Sequence, residues 1–143
     1  MKKTIIMIVI SVIMAGMTSV NGQTTLPANK TKVLVYYFHP DERCPIDQSI
    51  EKNTKNVMQS AFAKEIRDGI IKFQVINTDE KANEKLTAQY DINTQALYVV
   101  TIDKGKEIKK DLTRFAFDYG QSNPAKFMGG LKEEINKALS SQF

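Results

Sequence analysis

The sequence predicts an α/β protein of three layers, with a central mixed sheet of about four strands flanked by helices. Three observations carry that reading. Residues 32–38 run Lys-Val-Leu-Val-Tyr-Tyr-Phe, a continuous apolar, β-branched and aromatic stretch that reads as a strand buried on both faces. A long helical stripe separates it from a second strand, and a crossover of that kind makes the two strands parallel. Farther along, two strand-like runs flank Asp103-Lys104-Gly105-Lys106, a turn that makes them an antiparallel hairpin.

The elements follow in order. After a polar lead over residues 23–31 comes the first strand, then the loop His39-Pro40-Asp41-Glu42-Arg43-Cys44. Pro45 suits the first turn of a helix, where its missing N–H would have no partner, so the helix starts at or just after Cys44. Ile50, Val57, Met58, Ala61, Phe62 and Ile66 share one helical face, and Asp68-Gly69 ends it. In residues 71–77, Ile71, Phe73 and Val75 alternate toward one side of a second strand. Thr78-Asp79 starts a short helix over residues 80–90, built on Ala82, Leu86 and Tyr90. Residues 96–102 and 107–112 are the hairpin strands. Asn123-Pro124 begins a last helix with Phe127, Met128, Leu131, Ile135 and Leu139 on one stripe, which Gly129-Gly130 weakens. Neither repeats nor low-complexity segments interrupt this order.

At the N-terminus, Lys2 and Lys3 precede an uncharged apolar run from Ile5 to Ala15, followed by small and polar residues up to Gly22. That is a signal-peptide pattern with a cut expected after Gly22, and the run is short of the roughly 20 apolar residues a spanning helix needs. No cysteine lies at the cut, which excludes a lipid anchor there. The expected division is a signal peptide over 1–22, a lead over 23–31 and one domain over 32–143, with export to the periplasm and no membrane association after cleavage. Of 143 residues, 121 then remain, enough for one core. Losing two lysines leaves 18 basic against 16 acidic residues, which argues against a nucleic-acid surface. Lys104, Lys106, Lys109 and Lys110 read as a solvated or protected sheet edge.

The chain has one cysteine. Cys44 is therefore a free thiol, an intermolecular crosslink, or a redox site that depends on an outside partner. A position at a helix N-terminus favours a thiolate, with His39 and Arg43 nearby, while Asp41, Glu42 and Asp47 oppose it. His39 could assist proton transfer or, with Cys44 and Asp47, approach a metal. A hydrogen-bonded strand-end histidine is the simpler reading, and no metal and no cofactor are expected. Asp47 reads most simply as a first-turn carboxylate, and Glu51 as solvated or paired with Lys55.

The order strand, helix, strand, helix, strand, strand, helix is that of thioredoxin-like proteins. Residues 33–51, VLVYYFHPDERCPIDQSIE, resemble the first strand, active-site loop and helix start of that superfamily. They look most like the ArsF-type (nitrophenyl compound nitroreductase subunit ArsF) family, whose pattern is a Tyr-Phe-His strand end, Arg-Cys-x-x-Cys and a Glu four residues on. Tyr37, Phe38, His39, Arg43, Cys44 and Glu51 match it. Asp47 stands where the second cysteine belongs. The resemblance also implies a cis-proline before the third strand, facing the active site. Here Gln95 or Ala96 takes that substrate-loop place, and a trans peptide is expected because a non-proline cis bond costs about 2.5–4 kcal/mol.

Dithiol exchange needs a second thiol to resolve the mixed disulfide, and Asp47 cannot attack sulfur. The resemblance and its two departures lead to the expectation of an exported thioredoxin-fold protein that lacks dithiol oxidoreductase activity and serves as a binding or accessory module. The alternative is a monothiol protein that forms mixed disulfides through Cys44, in cell redox homeostasis. Either reading implies a protein or small-thiol partner at the Cys44 loop, and a monomer or weak dimer.

Overall fold

The computed structural model describes residues 30–141. The expected signal peptide over 1–22 and residues 23–29 of the expected lead lie outside the described residues. Four strands, β1 (Val33–His39), β2 (Ile71–Asn77), β3 (Ala96–Asp103) and β4 (Lys106–Asp111), form one sheet in the order β2-β1-β3-β4. β1 runs parallel to β2 and antiparallel to β3, and β3 is antiparallel to β4. The helices are α1 (Pro45–Ala61), α2 (Ala63–Arg67), α3 (Glu84–Gln89), α4 (Thr113–Tyr119) and α5 (Pro124–Ser140). The four-stranded mixed sheet with flanking helices is the thioredoxin-like α/β fold that the sequence predicts.

The central position of β1 explains its unbroken apolar run. Val33, Val35 and Tyr37 pack into the larger core with Ile50, Met58, Leu97, Val99, Phe127, Leu131 and Ile135 from α1, β3 and α5. Leu34, Tyr36 and Phe38 face the opposite side, against Val100 and Tyr90. There Tyr90 packs edge-on to Tyr36 and Tyr98, with ring centroids 5.4 Å apart in each pair.

Three parts depart from expectation. The single helix predicted to Asp68 is two, because Phe62 (φ −130°) leaves helical geometry while its side chain stays buried in the larger core. α2 ends in the double closure typical of a left-handed glycine: Gly69 (φ 74°) donates to Ile66 O and Ile70 to Glu65 O. The predicted helix over 80–90 opens as a 3₁₀ turn, Lys81–Asn83, whose Asn83 amide donates to Asn77 O. That leaves Ala82 exposed, so the buried side of this stretch rests on Leu86 and Tyr90. α4 lies where the sequence predicts no element. Phe115, Phe117 and Tyr119 alternate as they would in a strand, yet the segment is helical and buries Ala116 in the larger core; just before it the Asp111 carboxylate accepts the Thr113 N–H at 2.8 Å.

The β3–β4 turn is a two-residue hairpin with Lys104 (φ 48°) and Gly105 (φ 79°) both left-handed. Gly129 has no such need, since a Cβ there would meet nothing within 4 Å. Gly129→Ala is therefore expected to stabilise the protein by about 0.5–1 kcal/mol, read as a higher urea midpoint at unchanged slope.

Candidate functional site at the start of α1

Cys44 is the N-cap of α1, extended at φ −81° and ψ 165°, and Pro45 fills the first helical turn. Its side chain is exposed. Asp47, three residues on, is fully buried. One carboxylate oxygen, Oδ2, accepts the Cys44 N–H at 3.0 Å, so the helix start is closed by its own third residue. The same oxygen accepts Nε2 of Gln95, also at 3.0 Å, from the segment leading into β3. Below them the Tyr37 hydroxyl donates to the Asp47 main-chain oxygen at 3.0 Å. The other carboxylate oxygen, Oδ1, is buried with no hydrogen-bond partner among the described residues.

Asp47 and Gln95, the positions that the sequence resemblance marks as departures, are thus bonded to each other. The peptide into Ala96 is trans, as expected. Ala96 itself is buried, opposite Phe38 in the sheet and part of the smaller core. Gln95 rather than Ala96 therefore presents its side chain to the start of α1.

His39 ends β1 on the same side as Tyr37, with ring centroids 6.0 Å apart. Its Nδ1 lies 2.8 Å from Pro40 O, and its carbonyl accepts the Thr78 N–H, which fastens the strand end to the turn after β2. Cys44, Asp47 and Gln95 are brought together by direct hydrogen bonds, whereas those of His39 run to Pro40 and Thr78. Among the described residues no three His, Cys, Asp or Glu side chains are grouped to hold a metal. No helix among them is long and apolar enough to cross a membrane.

Arg43 is committed elsewhere. Its guanidinium pairs with Glu51 and lies 5.9 Å from the centre of the Tyr37 ring. Glu51 also holds Lys55, the partner expected from helical spacing; Arg43, eight residues before it, is a partner that spacing does not predict. Burial pushes Glu51 upward, and hydrogen bonds from Lys55 and Arg43 outweigh it, holding the carboxyl below the usual range. Burial raises the Tyr37 hydroxyl, which stays protonated and able to donate to Asp47 O.

The Glu51 shift has a pH consequence. A carboxyl depressed in the folded state adds stability above its unfolded value of about 4.3, and that stability is lost as pH falls through the folded value. Glu51→Gln is expected to cost about 1–2 kcal/mol at neutral pH. The gap from wild type should narrow as the acid limb is reached in urea melts.

No family model matches the chain. No curated protein matches its sequence at a significant level. Among solved structures, thioredoxin from Fasciola hepatica is similar over 77% of this chain and 84% of its own, at 18% identity and a TM-score of 0.48. A structure described as a malarial protein is similar over 62% of this chain and 94% of its own, at 14% identity and a TM-score of 0.40. The strand order and parallel crossover described above identify the thioredoxin-like fold on their own.

Proposed function

We propose that this chain is an exported thioredoxin-fold protein that acts as a binding or accessory module and does not run dithiol exchange. The observation that carries the reading is Asp47: buried, bonded to Cys44 N–H and to Gln95, it fills the place of a resolving thiol with a structural carboxylate. With one cysteine per chain, a mixed disulfide at Cys44 has no internal route to release. The basic and apolar pattern of residues 1–22 supports export, with the periplasm as destination. The ArsF-type match at Tyr37, Phe38, His39, Arg43, Cys44 and Glu51 supports a relative of that group in which the working pair of thiols has been lost.

Insulin-disulfide reduction driven by dithiothreitol tests this directly. The expected rate with the protein present is that of dithiothreitol alone, and clear acceleration would overturn the proposal. The second reading, a monothiol protein, is favoured by one observation: Cys44 is exposed at the N-terminus of a 17-residue helix. It requires Cys44 to alkylate with iodoacetamide faster than a free thiol at neutral pH and to form a mixed disulfide with glutathione. An ordinary alkylation rate removes it.

A further inference from the structure

β4 is an edge strand exposed along its whole length, and Ile108 at its middle is 58% exposed, the exposed large apolar side chain among the described residues. We propose that this edge pairs antiparallel with β4 of a second copy, joining two four-stranded sheets across a two-fold axis through Ile108. The backbone restricts the register. Leu112 N–H donates inward to Leu97 O, so Lys110, Ile108 and Lys106, at steps of two, also turn their amides toward β3. Glu107, Lys109 and Asp111 turn theirs outward, and only these can exchange hydrogen bonds with a mate.

Centring on any residue from 107 to 111 satisfies that rule, and side chains separate the five registers. Centring on Glu107 or on Asp111 sets carboxylate against carboxylate on the axis. Centring on Lys109 opposes lysine to lysine and Glu107 to Asp111. Centring on Lys110 faces Lys109 with the mate's Asp111 but sets lysine against lysine on the axis and offers Ile108 only Leu112, which is already buried in its own core. Centring on Ile108 brings apolar against apolar in the close, non-hydrogen-bonded position and faces Glu107 with the mate's Lys109 twice over. Both of those side chains are already held on the Tyr90 side of the sheet. The Tyr90 hydroxyl donates to Glu107 at 3.0 Å, and Lys109 Nζ sits 3.8 Å from the Tyr90 ring centre and donates to Gln89 O at 3.1 Å. Lys106 then opposes the mate's Lys110, a repulsion that keeps the seam weak. The many edge lysines thus select a register as well as discourage indiscriminate pairing. A strand of six residues covers far less than the roughly 1,200 Å² of a stable interface, so association is reversible and concentration-dependent.

The test is made in a Cys44→Ser background, which removes any dimer linked through that thiol and makes the outcome independent of the reading of Cys44. Sedimentation velocity over a concentration series is expected to show a monomer–dimer equilibrium. Ile108→Lys, an exposed change whose fold circular dichroism verifies, should abolish it. Glu107→Lys should weaken it about tenfold, and adding Lys109→Glu should recover part of the loss by exchanging the charges. In air, Ile108→Cys should crosslink, because the Cα atoms of a close antiparallel pair lie about 4.5 Å apart, within disulfide reach, while Lys110→Cys should not. A monomer at every concentration with no Ile108→Cys crosslink overturns the proposal and leaves the edge to a strand of another protein. A dimer that survives Ile108→Lys overturns it equally, since the seam is then elsewhere.

Discussion

Asp47→Cys is expected to give the chain dithiol reductase activity, and Asp47→Cys combined with Gln95→Pro to raise that activity further. The substitution puts a second thiol three positions after Cys44, beyond Pro45 and Ile46 on the opening turn of α1, in the arrangement that lets the second thiol resolve a disulfide made by the first. Resolution by a neighbouring thiol is intramolecular, and the effective concentration of a well-placed group exceeds any practical concentration of external thiol. The expected gain in insulin reduction is therefore at least about tenfold over dithiothreitol alone.

The folding cost should be tolerable, because two effects oppose. The variant removes a buried carboxylate oxygen that has no partner, and it also removes the acceptor for Cys44 N–H and for Gln95 Nε2. Gln95 would then be left with a half-buried amide and no carboxylate, which is why Gln95→Pro should help in the double variant and do little alone. Failure of both variants to reduce insulin, while remaining folded and showing two free thiols, would mean that the fold lacks more than the second cysteine.

That pairing of positions 47 and 95 also marks the limit of what the sequence discloses. The helix start at Cys44 is legible, and so are Asp47 and Gln95 as departures from the pattern that the resemblance implies, because each is a local feature. Their contact spans 48 residues and obeys no periodicity, so only the folded chain reveals that the two departures are one feature. Glu51 teaches the same lesson at shorter range. Its bond to Lys55 follows from helical spacing, but its bond to Arg43 depends on how the loop folds back over Tyr37. The buried face of α1 is readable for the opposite reason: Ile50, Val57 and Met58 repeat with the helix, and all three are in the core. α4 is not, since seven residues are too few to establish a period and its aromatic residues alternate.

Gly120→Ala is expected to destabilise the fold by about 1–3 kcal/mol, opposite in sign to the same chemical change at Gly129. Nothing in the sequence separates the two glycines as clearly as their surroundings do. A Cβ on Gly120 would lie 2.5 Å from Ile50 Cγ1 and 2.6 Å from the Ala116 carbonyl oxygen. Neither neighbour can yield cheaply. Ile50 is fully buried in the middle of the larger core, and the Ala116 oxygen is fixed as the acceptor of Gly120 N–H. Gly120 O in turn accepts Nδ2 of Asn53, a buried bond at 2.9 Å that ties α1 to the end of α4. A shift of the backbone to make room would therefore stretch this bond and strand a buried amide on Asn53. Urea unfolding should show a lower midpoint with the slope retained. Trimming the obstruction with Ile50→Val should recover part of the loss in the double variant, because the two sites share one contact. An unchanged midpoint for Gly120→Ala would mean that α4 can move away from α1 without cost, and that the Asn53 bond does not hold the two helices in register.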